Sequence, residues 1–159
     1  MPDFIYFDAS WAIIEHDKIL AMSGGLGGVP KRNQLSSMLD FLKDDGYYPE
    51  FEDKLTHLVF SLAENHYFSD GNKRSSIAVG AYFLQVNGLG ALVPRFIVDM
   101  EHVVLCVADD IISKDQLHVI LSEHIKYGEM SEESKLLVVD SLMEYERREQ
   151  ERRDNEQAA

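Results

Sequence analysis

The sequence predicts an all-α fold, a helical bundle around one central helix pair. Three observations carry that expectation. Apolar residues recur at helical spacing through most of the chain, and no stretch sustains the apolar–polar alternation of a half-buried strand. Near the middle, a polar turn, His66-Tyr67-Phe68-Ser69-Asp70-Gly71-Asn72-Lys73-Arg74, is bracketed by two apolar stretches. Before it, Leu55, Leu58, Val59, Leu62 and Ala63 recur at i, i+3, i+4, i+7 and i+8, and His66 continues the stripe at i+11. After it, Ile77 to Val86 is apolar nearly all round, as a buried helix would be.

Taken in order, Phe4 to Phe7 reads as a short extended arm. Asp8 or Ser10 is a suitable N-cap for a helix from about Ala9 to Met22, with Trp11, Ile14 and Leu20 on its apolar face. Glycines from Gly24 to Gly28 end it, and Val29-Pro30 forbids an immediate restart. A second helix follows from about Lys31 to Lys43, apolar in Leu35, Met38, Leu39 and Leu42, and Asp44-Asp45-Gly46 turns the chain. Tyr47 to Phe51 is extended or irregular. Past the central pair, Asn87-Gly88 is a stop signal, and Gly88 to Pro94 is a turn or short strand. Asp99 reads as the N-cap of a helix to about Asp110. Ser113 with Gln116 forms a capping box that opens a helix to about Lys126, and Gly128 breaks it. Ser131 caps a last helix carrying Leu136, Leu137, Val139, Leu142 and Met143. From Glu144 the chain turns almost wholly polar, and its last dozen residues are expected to fray or extend into solvent. Residues 1–130 read as one domain around the central turn and 131–159 as a helical extension with a polar tail.

Composition narrows the function classes. A chain of 159 residues with 45% hydrophobic content can bury a core, and no apolar run approaches the roughly 18 residues of a membrane span. The start, Met1-Pro2-Asp3, lacks the basic-then-apolar pattern of a secretory signal. The single cysteine, Cys106, excludes an internal disulfide and fits a reducing cytoplasm. With 28 acidic against 15 basic residues, the net charge of −13 repels nucleic acid, so an anionic ligand needs a local basic pocket. His16, His57, His102, His118 and His124 show no metal-ligand spacing and read as structural.

The central turn supplies such a pocket. Asp70 to Lys73 lead into a helix N-terminus, where free N–H groups and the positive dipole end favour anions. Gly71 lets the backbone approach a ligand, Lys73 and Arg74 add full positive charge, and Asn72 can orient a phosphate oxygen. Asp70 offers a hard oxygen ligand for the Mg²⁺ that accompanies nucleoside triphosphates. An imidazole at His66 can accept a hydroxyl proton. Phe68 is expected to plug into the core and fix the turn. Each residue has a plainer role open to it: His66 as a helix cap, Asp-Gly-Asn as an ordinary turn, Lys73-Arg74 as a solvated first helical turn. Two cations there oppose the helix dipole, which an anion would relieve.

The pattern H-x-F-x-D-G-N-K-R between two such helices resembles the Fic/Doc superfamily motif, closest to the Doc (death-on-curing) branch, over roughly residues 8 to 125. His16-Asp17 and Ser23-Gly24-Gly25-Leu26-Gly27-Gly28 resemble the glycine-rich turn after the first helix of Doc-like proteins. AMP-transferring Fic proteins usually read H-x-F-x-D/E-G-N-G-R-x-x-R. Here Lys73 replaces the second glycine and Ile77 the last arginine, changes that Doc-like proteins share, whereas Gly71 stands where Doc has alanine. The resemblance implies a Fic-like bundle and transfer of phosphate from ATP to a Ser or Thr hydroxyl of a target protein, in Doc relatives a translation elongation factor. It makes His66 the general base, Asp70 the Mg²⁺ ligand, Asn72, Lys73 and Arg74 the phosphate clamp, and the Gly71 backbone part of the anion pocket. Protein adenylylation is the second implied chemistry, and a non-catalytic nucleotide- or partner-binding module is the reading from another class. The resemblance also implies a flap before the motif-bearing helices, placed at Tyr47 to Phe51, and restraint by a separate antitoxin. The self-inhibitory pattern S/T-x-x-x-E-G/N has no match, since Ser61-Leu62-Ala63-Glu64-Asn65 is one residue too short. The extension from Ser131 could cover an antitoxin groove, form a dimer contact or be a solvated helix, and the sequence leaves the oligomeric state open.

Overall fold

The computed structural model describes residues 3–159. Among them the regular elements are all helical: α1 (Ala9–Ser23), α2 (Arg32–Phe41), α3 (Phe51–Glu64), α4 (Asn72–Val86), a 3-10 turn (Gly90–Leu92), α5 (Val93–Ala108), α6 (Lys114–Tyr127) and α7 (Glu132–Ala158). The all-α expectation holds. Helices α3 and α4 form the central hairpin; α1 packs on α4, α6 on α3, and α5 against both. The stripe read from the sequence is the core, with Leu55, Leu58, Val59, Leu62 and Ala63 all buried. Phe83 of α4 stacks on Phe51 of α3 at 4.8 Å between ring centroids, which ties the open end of the hairpin.

Helix caps follow the sequence closely. Asp8 accepts from the Trp11 N–H at 3.0 Å, and Ser113 and Gln116 exchange the two hydrogen bonds of a capping box. Ser131 caps α7 through the Ser134 N–H. Leu35, Met38, Leu39 and Leu42 are all buried beneath α2, as their spacing requires.

Two expectations need correction, and two left open are decided. The first helix buries Ala9, Ala12 and His16, while Ile14 is 48% exposed, so its inner face is rotated from the one read off the large apolar side chains. Of the turn or short strand expected after Gly88, the turn is found, as a 3-10 turn, and α5 begins at Val93. Asp99 therefore lies inside α5, where it pairs with buried His124 at 3.1 Å. Pro94 had marked a boundary, but proline suits the first turn of a helix, whose N–H groups have no intrahelical acceptor. Of the two outcomes expected for the C-terminal residues, extension into solvent is found, with α7 running to Ala158. Arg147 and Arg148 pair with Glu144 within the helix, and Arg148 and Arg152 reach Asp109 at the end of α5. Residues 150–158 extend into solvent as helix.

Candidate functional site

Between α3 and α4 the chain makes a six-residue excursion from Asn65 to Asp70, followed by Gly71 at φ +75°. Phe68 anchors it. Its ring is 1% exposed and stacks on His16 of α1 with centroids 3.8 Å apart, as the sequence anticipated for Phe68. His16, read as structural, is so: it holds the motif. It is fully buried, and its Nε2 lies 2.6 Å from the Asp70 carbonyl oxygen. A carbonyl only accepts, so Nε2 carries the hydrogen and donates. Only the fold brings α1 under this loop, and the weak sequence signal was a histidine at i+7 from Ala9 on the small-residue face.

Asn72 holds the loop from the other side. Its Oδ1 accepts the Phe68 N–H at 3.1 Å and its Nδ2 donates to the Phe68 carbonyl at 3.0 Å. That pair of bonds ties Asn72 to the loop backbone and leaves one Nδ2 hydrogen uncommitted.

Asp70 is held as an anion. Its carboxylate accepts N–H bonds from Leu26 at 3.2 Å and Gly71 at 2.8 Å, and these bonds, followed by the nearby Arg74 charge, keep it below the usual carboxylate range. The glycine turn after α1 lies directly on it. A Cβ on Gly25, at φ +130°, would come within 2.7 Å of Asp70 Oδ2. Gly28 O accepts from Ser69 N at 3.2 Å, and Tyr67 O accepts from Lys31 N at 3.3 Å, so the two loops run side by side. The segment bordering the motif is therefore Gly24 to Pro30. Tyr47 to Phe51 sits at the opposite end of α3, about 21 Å away along a 14-residue helix, and cannot be a flap over this site.

The start of α4 is uncapped. Gly71 provides no side chain, and the Asn72, Lys73 and Arg74 N–H groups precede the first intrahelical bond, Ser75 N to Gly71 O at 2.9 Å. Lys73 is exposed, and no hydrogen bond or ion pair among the described residues uses its ammonium. Arg74 is half-exposed; its guanidinium donates to Ser23 Oγ and the Gly24 carbonyl and lies 3.8 Å from Asp70. Around these groups is a cavity of about 300 Å³, lined by His66, Asp70, Gly71, Lys73, Arg74 and their neighbours. Ala63 and Ala108 supply its apolar wall.

His66 lies just past the end of α3, exposed and in the left-handed backbone region at φ +52°. A non-glycine residue there carries backbone strain, which turns the imidazole off the helix stripe and into the cavity wall. All six residues expected at the site, His66, Asp70, Gly71, Asn72, Lys73 and Arg74, line this one cavity. A second cavity of about 360 Å³, lined by Lys31, Gln34, Glu64, Asn65 and Tyr67, shares only His66 with the first. His66 thus stands on the partition between a cationic cavity and a second opening.

No group of three or more His, Cys, Asp or Glu among the described residues can cage a metal. One exposed carboxylate beside free N–H donors fits a metal that keeps its waters and is shared with substrate phosphates, as Mg²⁺ is. No helix among the described residues is long and apolar enough to cross a membrane.

This arrangement agrees with what the chain is similar to. Residues 6–84 match the model of the Fic/DOC family. Through that half of its length the chain belongs to the family. Over 42 residues it is 48% identical to "Toxin Doc" of Mycolicibacterium smegmatis, a match covering 26% of this chain and 32% of that protein. The match therefore spans about a third of the relative's length.

Proposed function

We propose that the protein is a Doc-like toxin that transfers the γ-phosphate of ATP to a Ser or Thr hydroxyl of a target protein. The observation that carries this reading is the uncapped, doubly cationic N-terminus of α4, opening on a cavity with His66 in its wall. The Asn72 to Arg74 N–H groups and the Lys73 ammonium bind phosphate oxygens, and Arg74, braced by Ser23 and Gly24, orients them. Asp70 and substrate phosphates would hold Mg²⁺, which neutralises phosphate charge when bound. His66 takes the proton of the acceptor hydroxyl as its oxygen bonds to the γ-phosphorus and the bond to the β-phosphate oxygen breaks, releasing ADP. Such general-base help contributes on the order of 10²–10⁴-fold.

Two residues favour γ-phosphate transfer over AMP transfer. Lys73 occupies the place of the glycine that leaves room for the α- and β-phosphates in adenylylating relatives. Ile77, where they carry a second arginine, packs against the core and offers no clamp. Toxicity would be restrained by a separate antitoxin, and the lone buried cysteine suits a reducing cytoplasm.

Incubating a lysate with ATP labelled at the γ- or the α-phosphate, with His66→Ala as control, tests the proposal. His66-dependent label from γ alone is expected. Label from α means AMP transfer, and no His66-dependent label means a binding module.

A further inference from the structure

The face formed by the end of α2, the loop to α3 and the start of α6 carries aromatic rings that the phosphate cavity does not use. Phe41 and Tyr47 pack with centroids 4.8 Å apart, yet are 42% and 70% exposed. Behind them Tyr48 stacks on His57 at 4.4 Å. Lys114 Nζ lies 5.6 Å from the Tyr48 ring and 5.7 Å from the Phe60 ring, and is 3.1 Å from His57 Nδ1. Burial and the Lys114 charge keep His57 neutral, its pKa pulled down to about 4, so Nδ1 accepts. The inner layer thus already holds one cation among ring faces, while the outer faces of Phe41 and Tyr47 meet solvent.

The rim of this face is acidic. Between residues 40 and 53 stand six carboxylates, Asp40, Asp44, Asp45, Glu50, Glu52 and Asp53, against one lysine, Lys43. Asp45 is matched by buried Lys54 at 2.9 Å and Asp53 by His118 at 2.8 Å. Asp44 uses Oδ1 to accept the Gly46 and Tyr47 N–H groups, which fixes the turn that presents the Tyr47 ring. Its Oδ2 remains for a ligand. Paired aromatic anchors are a mark of interface centres, and ring faces beside a carboxylate complement a guanidinium, which stacks and hydrogen-bonds in one plane. A net charge of −13 adds long-range attraction for a basic partner.

We propose that this face docks an arginine-bearing segment of a partner protein, with a guanidinium stacked on Tyr47 and Phe41 and paired with Asp44. The surface is separate from the phosphate cavity: its own recess, lined by Tyr47, Tyr48, Lys114 and Asp115 among others, shares no residue with that cavity. The proposal therefore stands independently of whether the protein transfers phosphate.

Titrating a blocked Gly-Arg-Gly-Arg-Gly peptide into isotope-labelled full-length protein, followed by NMR, tests it. Shift changes concentrated at Phe41, Asp44, Tyr47 and Tyr48 are expected. Exchange of arginine for lysine in the peptide, or Tyr47→Ala in the protein, should weaken binding roughly two- to fivefold each. Tyr47 is largely exposed, so Tyr47→Ala should fold as the parent does, with ATP-dependent labelling unchanged. The proposal is overturned by shifts spread evenly over the acidic surface, including α7, or by equal affinity of the lysine peptide and of Tyr47→Ala. Peptide-independent self-association through these rings, or preference for an acidic peptide, would overturn it too.

Discussion

Two histidines meet at the motif with opposite jobs, and exchanging each for an apolar residue should separate them. His16 is fully buried, donates to the Asp70 carbonyl at 2.6 Å and stacks on Phe68 at 3.8 Å. In His16→Leu that partly buried carbonyl loses its partner, a cost of about 1–3 kcal/mol, and the ring stack loses about 0.5–1.5 kcal/mol. Leucine recovers most of the packing, so the net destabilisation should be about 2–4 kcal/mol. At roughly 2–4 °C per kcal/mol for a chain of this size, Tm should fall on the order of 10 °C. The loop carrying Asp70 should loosen with it, so ATP-dependent labelling should also fall. His66 is exposed and strained, so His66→Ala should leave Tm almost unchanged while removing the His66-dependent label. Thermal unfolding by circular dichroism, run beside the labelling assay, reads both effects. An unchanged Tm for His16→Leu, or a fall of several degrees for His66→Ala, would refute this division of labour.

Two further perturbations act on the same neighbourhood. Gly25→Ala puts a methyl 2.7 Å from Asp70 Oδ2 and 2.9 Å from the Leu20 side chain, on a backbone that L residues rarely adopt. The exposed loop must shift away, so the Mg²⁺ concentration for half-maximal labelling should rise on the order of tenfold with little change in Tm, and an unchanged Mg²⁺ requirement would count against Asp70 as the ligand. Glu64, at the end of α3, has its pKa raised to about 7 by burial and by the Asp110 carboxyl beside it. The folded state binds this proton more tightly than the unfolded chain, so the site's contribution is full below the ordinary 4.5 and is lost as pH rises through about 7. Because the group is partly solvated, Glu64→Gln should gain on the order of 1 kcal/mol over the parent at pH 8 and nothing at pH 4. Urea unfolding at both pH values measures it, and equal gains at the two would contradict the assignment.

What the sequence made legible was whatever depends on local spacing. The α3 stripe, the α2 face and the caps at Asp8, Ser113 and Ser131 are short-range patterns, and the structure reproduces them. The anion-binding character of the motif was also local, because glycine, two cations and a helix start lie within four residues. What stayed hidden depends on contacts between distant segments. Nothing near His16 announces that the Asp70 carbonyl, 54 positions later, arrives at its Nε2. The glycine turn was noticed, but its place over Asp70 follows from how α1 lies on α4, and the flap was consequently set at the wrong end of α3. The loop-holding role of Asn72 stayed hidden because its partner, the Phe68 backbone, comes within reach only once the loop closes. Lys54 went unnoticed as well: it is fully buried within an apolar face, satisfied by the Leu42 carbonyl and Asp45.

Phosphate transfer at this site requires the start of α4 to hold a triphosphate. Calorimetric titration of MgATP into the parent protein, Lys73→Ala and Arg74→Ala measures that directly. Saturable one-to-one binding to the parent is predicted, weakened at least tenfold in each variant, with His66→Ala binding as the parent does. Parent and cation variants with the same affinity would place the nucleotide elsewhere and contradict the account.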